Sequence, residues 1–132
     1  MQSAFAWVFR AAVTALAGAL VVGLGGCAAT PGYEGPSRGA AEVAVVSASL
    51  PITAGAPVTV QLRKADAAVI PFGVWRVELL PGKHELLVDC ITRNPSHTSR
   101  HSLVVDVEAG GRYRLVPVVG TPQEGCTTVT VE

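Results

Sequence analysis

From Glu42 to the C-terminus the chain runs through short apolar stretches in which hydrophobic and polar positions alternate, separated by proline and glycine. This region holds seventeen valines and no methionine. Period-two alternation of β-branched residues is the pattern of half-buried strands, and no segment sustains the 3.6-residue apolar period of an amphipathic helix. Strands are predicted over 42–48, 57–64, 67–72, 74–80, 84–91, 103–108, 112–119 and 126–131. About 90 residues in seven or eight short strands predict an all-β domain, a single antiparallel β-sandwich spanning 42–132.

Turn signals then suggest pairings. Ala109-Gly110-Gly111 offers glycine for a left-handed position, so Leu103 to Val119 reads as a hairpin. With Glu108 opposite Arg112, Asp106 meets Arg114 on one face, while Val107 meets Tyr113 and Val105 meets Leu115 on the other. Leu80-Pro81-Gly82-Lys83 has the proline and glycine of a type II turn, although simple pairing around it sets Glu78 against Glu85. If the strands over 84–91, 103–108 and 112–119 are neighbours, their core faces carry Leu86, Val88, Leu103, Val105, Val107, Tyr113 and Leu115. Their outer faces then bring Leu87, Ile91, Val104, Val116 and Val118 into one apolar patch, a candidate partner site.

Upstream of Glu42 the pattern changes twice. Ala28 to Ala41 contains Pro31, Gly32, Gly35, Pro36, Ser37 and Gly39, and reads as a flexible linker with a reach of roughly 20 Å. Ala11 to Leu24 is uncharged and apolar behind Arg10, which fits a secretory h-region. At this length, diluted by Gly18 and Gly23, it is short for a spanning helix, the competing reading. Leu24-Gly25-Gly26-Cys27 follows directly and resembles a bacterial lipobox. The resemblance implies a signal peptide over 1–26, cleavage between Gly26 and Cys27, and acyl chains such as palmitate on Cys27, with 27–41 as the tether. Two or three such chains hold a protein stably on a bilayer. Ala28, in place of an aspartate, implies sorting to the outer membrane, facing the periplasm.

Composition narrows the function. The 132 residues carry ten Lys and Arg against ten Asp and Glu, with only seven aromatics, which leaves neither the field nor the stacking surface of a nucleic-acid binder. With Cys27 acylated, Cys90 and Cys126 remain as an even pair in an exported domain, and a disulfide between them is expected. They lack the Cys-X-X-Cys spacing of a redox pair. His97 and His101 could join them in a zinc site, but the i, i+4 spacing needs a helix that Asn94-Pro95-Ser96 opposes, and oxidised cysteines cannot ligate. No metal or other cofactor is expected. His84 reads as a partly buried strand-start histidine. The carboxylates Asp106 and Glu108 have arginine partners in the hairpin register, and Ser96, Ser99 and Ser102 lack a nucleophile elbow, so no catalytic residue is assigned. Arg93 and Arg100, in a stretch without acids between Asp89 and Asp106, are candidates for contact with an anionic surface such as peptidoglycan or lipid headgroups.

An apolar strand, Leu80-Pro81-Gly82-Lys83-His84, a strand ending at Cys90, a polar loop, and Glu108-Ala109-Gly110-Gly111-Arg112-Tyr113-Arg114-Leu115 resemble the carboxyl half of small uncharacterised bacterial lipoproteins. Their domains are similar to PEGA and transthyretin-like sandwiches, and the resemblance implies fold rather than chemistry. The functional expectation is a non-enzymatic, membrane-anchored envelope accessory or adaptor that contacts another envelope protein. The alternative is a periplasmic inhibitor or small-ligand binder, because Gly110-Gly111-Arg112-Tyr113 is faintly similar to the inhibitory loop of periplasmic lysozyme inhibitors, without its serine.

Overall fold

A computed structural model of the chain describes residues 29–49 and 56–132. The expected signal peptide over 1–26, the Gly26/Cys27 cleavage junction and the lipidation of Cys27 lie outside the described residues. Those residues form an all-β structure with no helix among them. Its strands are β1 (Thr30–Pro31), β2 (Ala44–Ser47), β3 (Val58–Ala65), β4 (Ala68–Val69), β5 (Arg76–Leu79), β6 (Gly82–Thr92), β7 (His97–Val107), β8 (Arg112–Val119) and β9 (Cys126–Val131). Two sheets stack like a sandwich, one in the order β1-β5-β2-β8-β9 and the other in the order β4-β3-β6-β7.

The core is what period-two alternation dictates. Val46, Val77, Leu79, Leu115 and Val129 point inward from the first sheet and meet Val60, Leu62, Leu86, Val88, Val105 and Val107 from the second. Burial of each such valine or leucine contributes roughly 1.5–3 kcal/mol, and none of them carries a polar atom that would need a partner. Cys90 on β6 and Cys126 on β9 are joined by a disulfide, with their Cα atoms 6.1 Å apart, and this links the two sheets beside the core.

The first sheet is mixed, not antiparallel throughout. β1 runs parallel to β5 and β2 runs parallel to β8. The β1 pairing lies inside the stretch expected to be a tether. Gly32 donates its N–H to the Glu78 carbonyl at 2.8 Å, and a Cβ there would come within 2.8 Å of the Val77 side chain, so only glycine allows this approach.

The 103–119 hairpin does not form. β7 belongs to one sheet and β8 to the other, and the loop between them carries the chain across the core. Gly110 takes φ +75° and donates to the Val43 carbonyl, while Gly111 accepts from the Val45 N–H, so the turn is tied to β2 and its approach rather than closing a ladder. Asp106 lies opposite Lys83, Arg112 opposite Val45 and Arg114 opposite Ser47, in place of the expected carboxylate–arginine pairs. The physical reason is symmetric patterning. Val105, Val107, Tyr113 and Leu115 reach the same core whether their strands lie side by side or face one another. The turn at 80–83 is the same kind of crossing, from β5 to β6, and Glu78 and Glu85 never meet: they lie opposite Val45 and Val104. The long hairpin is instead β6–β7, in unbroken register from Gly82↔Val107 to Thr92↔His97 and turning through Asn94 and Pro95.

Candidate functional site

The two sheets leave two adjoining hollows that share Trp75 and Ser49. The turn Pro71-Phe72-Gly73-Val74 closes with the Val74 N–H on the Pro71 carbonyl at 3.2 Å. Gly73 at φ +87° supplies the positive angle that such a turn needs. It raises Phe72 into solvent, 83% exposed, at the rim of a cavity of about 150 Å³ whose polar walls include Arg63, Arg93, Gln61 and Ser49. Trp75 separates this cavity from a more open groove of about 880 Å³ lined by Arg76, Arg112, Tyr113, Arg114 and Glu132. The Trp75 carbonyl accepts from the Ala48 N–H at 2.7 Å, and the Arg76 guanidinium lies 4.8 Å from the indole centroid. Strand alternation aims Arg112 and Arg114 to the same side, since Tyr113 between them packs against the core.

This end of the molecule is cationic. Ten Lys and Arg occur in the chain, and nine follow Cys27; five of the nine line the two hollows, with Glu132 as the one acidic lining residue among the described residues. Arg63 is shared with a second centre. Its Nε lies 3.3 Å from Asp89, a carboxylate on β6 that also accepts two hydrogen bonds from Arg100, 2.7 Å from Nε and 3.0 Å from Nη2. Those Arg100 hydrogen bonds, against the opposing cost of burial and with the added charges of Arg100 and Arg63, hold the Asp89 carboxyl below the ordinary carboxylate value.

A third polar cluster lies at the C-terminal end of β3. His84 meets the Asp66 carboxylate through Nδ1 at 2.5 Å and the Leu80 carbonyl through Nε2 at 2.5 Å, and Asp66 also accepts the Glu85 N–H at 2.9 Å. Burial raises the Asp66 pKa, but the His84 hydrogen bond, the Glu85 N–H and the His84 charge together bring it below its ordinary value. This cluster fastens the 66–67 turn, where Asp66 has φ +50°, to the 80–81 crossing. It is structural, with both ring nitrogens engaged within the fold.

The five residues of the expected apolar patch do not meet. Leu87, Ile91 and Val104 lie on the outer face of the second sheet, interrupted by Asp89, Arg100 and Ser102, whereas Val116 and Val118 lie on β8 in the first. The patch required β7 and β8 to be neighbours, and the crossing at 109–111 separates them. The two arginines proposed for anion contact also part company: Arg100 is taken by Asp89, and Arg93 stands in the wall of the smaller cavity. Cys90 and Cys126 meet in the disulfide, and among the described residues no three His, Cys, Asp or Glu side chains are grouped as metal ligands. In the Gly110 to Tyr113 loop, Tyr113 accepts the Glu108 N–H through its hydroxyl and Gly110 donates to the Val43 carbonyl, while Gly110 and Arg112 are exposed.

Trp75, Phe72, Arg63, Arg76, Arg112 and Arg114 were invisible as a site in the sequence. They come from three separate stretches, and only Pro71-Phe72-Gly73, a turn that forces an aromatic outward, is a local signal. No family model, curated protein or solved structure matches the chain.

Proposed function

We propose that the chain is a non-enzymatic lipoprotein of the bacterial cell envelope, anchored at Cys27 after removal of residues 1–26. Its 42–132 domain, similar to PEGA and transthyretin-like sandwiches, acts as an adaptor for another envelope protein. The arginine-lined hollows flanking Trp75 are its recognition face, and the partner presents an acidic segment. What supports this is the placement of five of nine basic residues around one tryptophan in a chain of zero formal charge. Arginine and exposed aromatics are the residue types that dominate binding energy at protein interfaces, and surplus charge of one sign steers a partner of the other. The volume of the smaller cavity, about 150 Å³, favours a second reading in which a small anionic ligand enters beside Arg93.

The test is a photo-crosslinking residue at position 72 of the full chain in cells. An adduct with an envelope protein, lost on Arg93→Ser with Arg112→Ser and Arg114→Ser, supports the adaptor. No adduct, or one indifferent to those arginines, overturns it. Anchoring is read separately from the intact mass of membrane-extracted protein. A chain beginning at Cys27 with acyl mass is expected, and one retaining Met1 removes the lipoprotein reading.

A further inference from the structure

We propose that the open edge of β7 is a self-association surface, on which a second copy of this chain lays its own β7 antiparallel about a twofold axis at Leu103. The inference is independent of the recognition face above. β7 ends its sheet, with β6 its one strand neighbour among the described residues. Which of its backbone groups face outward follows from the far side of the sheet. Val60 exchanges hydrogen bonds with Ser49, giving its N–H to the Ser49 hydroxyl at 2.8 Å and taking the Ser49 N–H at 3.0 Å, so it faces away from β6. Cys90, opposite Val60, then faces β7 and its partner Ser99. Alternation along β7 turns the N–H and C=O groups of Thr98, Arg100, Ser102, Val104 and Asp106 to the free edge. All five residues are exposed, Val104 by 75%. The strand is 11 residues long and its register with β6 has no bulge. It contains neither proline nor lysine, two of the devices that stop an edge from pairing.

Charge selects the occupant and the register. Pairing about Leu103 sets Arg100 opposite Asp106 of the second copy, twice by symmetry, with Ser102 opposite Val104 and Leu103 opposite itself. Within one copy, Arg63, Asp89 and Arg100 already form a row of alternating sign across the sheet, and Lys83 stands opposite Asp106. The joint continues that row as Arg63, Asp89, Arg100, then Asp106 and Lys83 of the second copy. Arg100 has Nη1 left for this contact, since Nε and Nη2 serve Asp89. Pairing about Ser102 instead would set Arg100 against Val104 and Asp106 against Thr98, leaving four charges unmatched.

The experiment places Ser102→Cys and Val104→Cys together in the full chain and oxidises it in its membrane. Opposed residues in a hydrogen-bonded antiparallel pair lie about 5.5 Å apart at Cα, inside the range a disulfide spans. Covalent dimers are expected from the double variant, far fewer from either single variant, and about tenfold fewer when Asp106→Arg is added, because it faces Arg100 across the joint. A double variant that stays monomeric with an unchanged melting temperature overturns the proposal. So does a dimer yield indifferent to Asp106→Arg, or a disulfide formed only with a different protein.

Discussion

Arg100 and Arg112 are both exposed arginines on long strands of the same sandwich, yet they do opposite things. Arg100 lies opposite Asp89 on β6 and closes a two-point ion pair on a carboxylate that is only 6% exposed. Arg112 lies opposite Val45 in a parallel pair, and no acidic side chain in the described residues reaches it. One arginine is paired within the fold, and the other has no ion pair among the described residues. The difference is not in the residue or its exposure but in which strand the topology sets beside it. That difference is why the proposed recognition face is the pair of cationic hollows and not the outer face of the second sheet.

Four measurements test that contrast. The largest effect is expected from Asp89→Ala, which leaves Arg63 and Arg100 facing one another without their shared carboxylate. With both arginines partly in water, the loss should be about 1–2 kcal/mol, a fall in melting temperature of about 5–12 °C. An unchanged melting temperature would make Asp89 no different from any surface acid and dissolve the comparison. Arg100→Ala should lower the melting temperature in the same direction by less, since Arg63 still meets Asp89, and calorimetry of the two single variants and the double variant would expose their coupling.

The pH dependence sharpens the same contrast. The folded-state pKa of Asp89 lies below the ordinary value of 3.8, so its stabilisation is complete above the unfolded-state value and disappears as pH falls through the folded-state value. Melting temperature should therefore fall on acidification below about pH 5, and fall less steeply in Asp89→Ala. Asp66, lowered as well, leaves a residual acid dependence in that variant. The smallest effect on stability belongs to Arg112→Ala and Arg114→Ala, each within about 0.5 kcal/mol of wild type. The adduct yield from position 72 should nonetheless drop in both, and should drop in wild type as salt rises. A large stability loss from either would show that these arginines serve the fold after all.

How much was legible in the sequence differs between strands and their neighbours. β8 and β9 occupy the predicted spans 112–119 and 126–131, each opening directly after a glycine, Gly111 and Gly125. β7 begins at His97 rather than 103, since the polar run His97 to Ser102 has no apolar face of its own and is a strand only because it pairs with β6. β1 was unreadable for a similar reason. Thr30–Pro31 has no strand pattern, and its pairing is set by the free edge of β5. The candidate site was less legible still, because its arginines come from β3, the start of β5, the 93–96 turn and β8, and are brought together by two crossings that look like hairpins in the sequence.

Alternation and turn residues are properties of short stretches, and they determined the all-β class, most strand spans and the identity of the inward residues. The assignment of strands to sheets was decided only in three dimensions. A glycine-bearing turn between two alternating strands can close a ladder or cross the core while burying the same side chains, so local pattern does not separate the two. The choice rests on partners far away in the chain: β2 inserted between β5 and β8, and the disulfide holding β6 to β9. That choice took Arg114 from Asp106, gave Asp89 to Arg100, and left Arg112 and Arg114 exposed on β8.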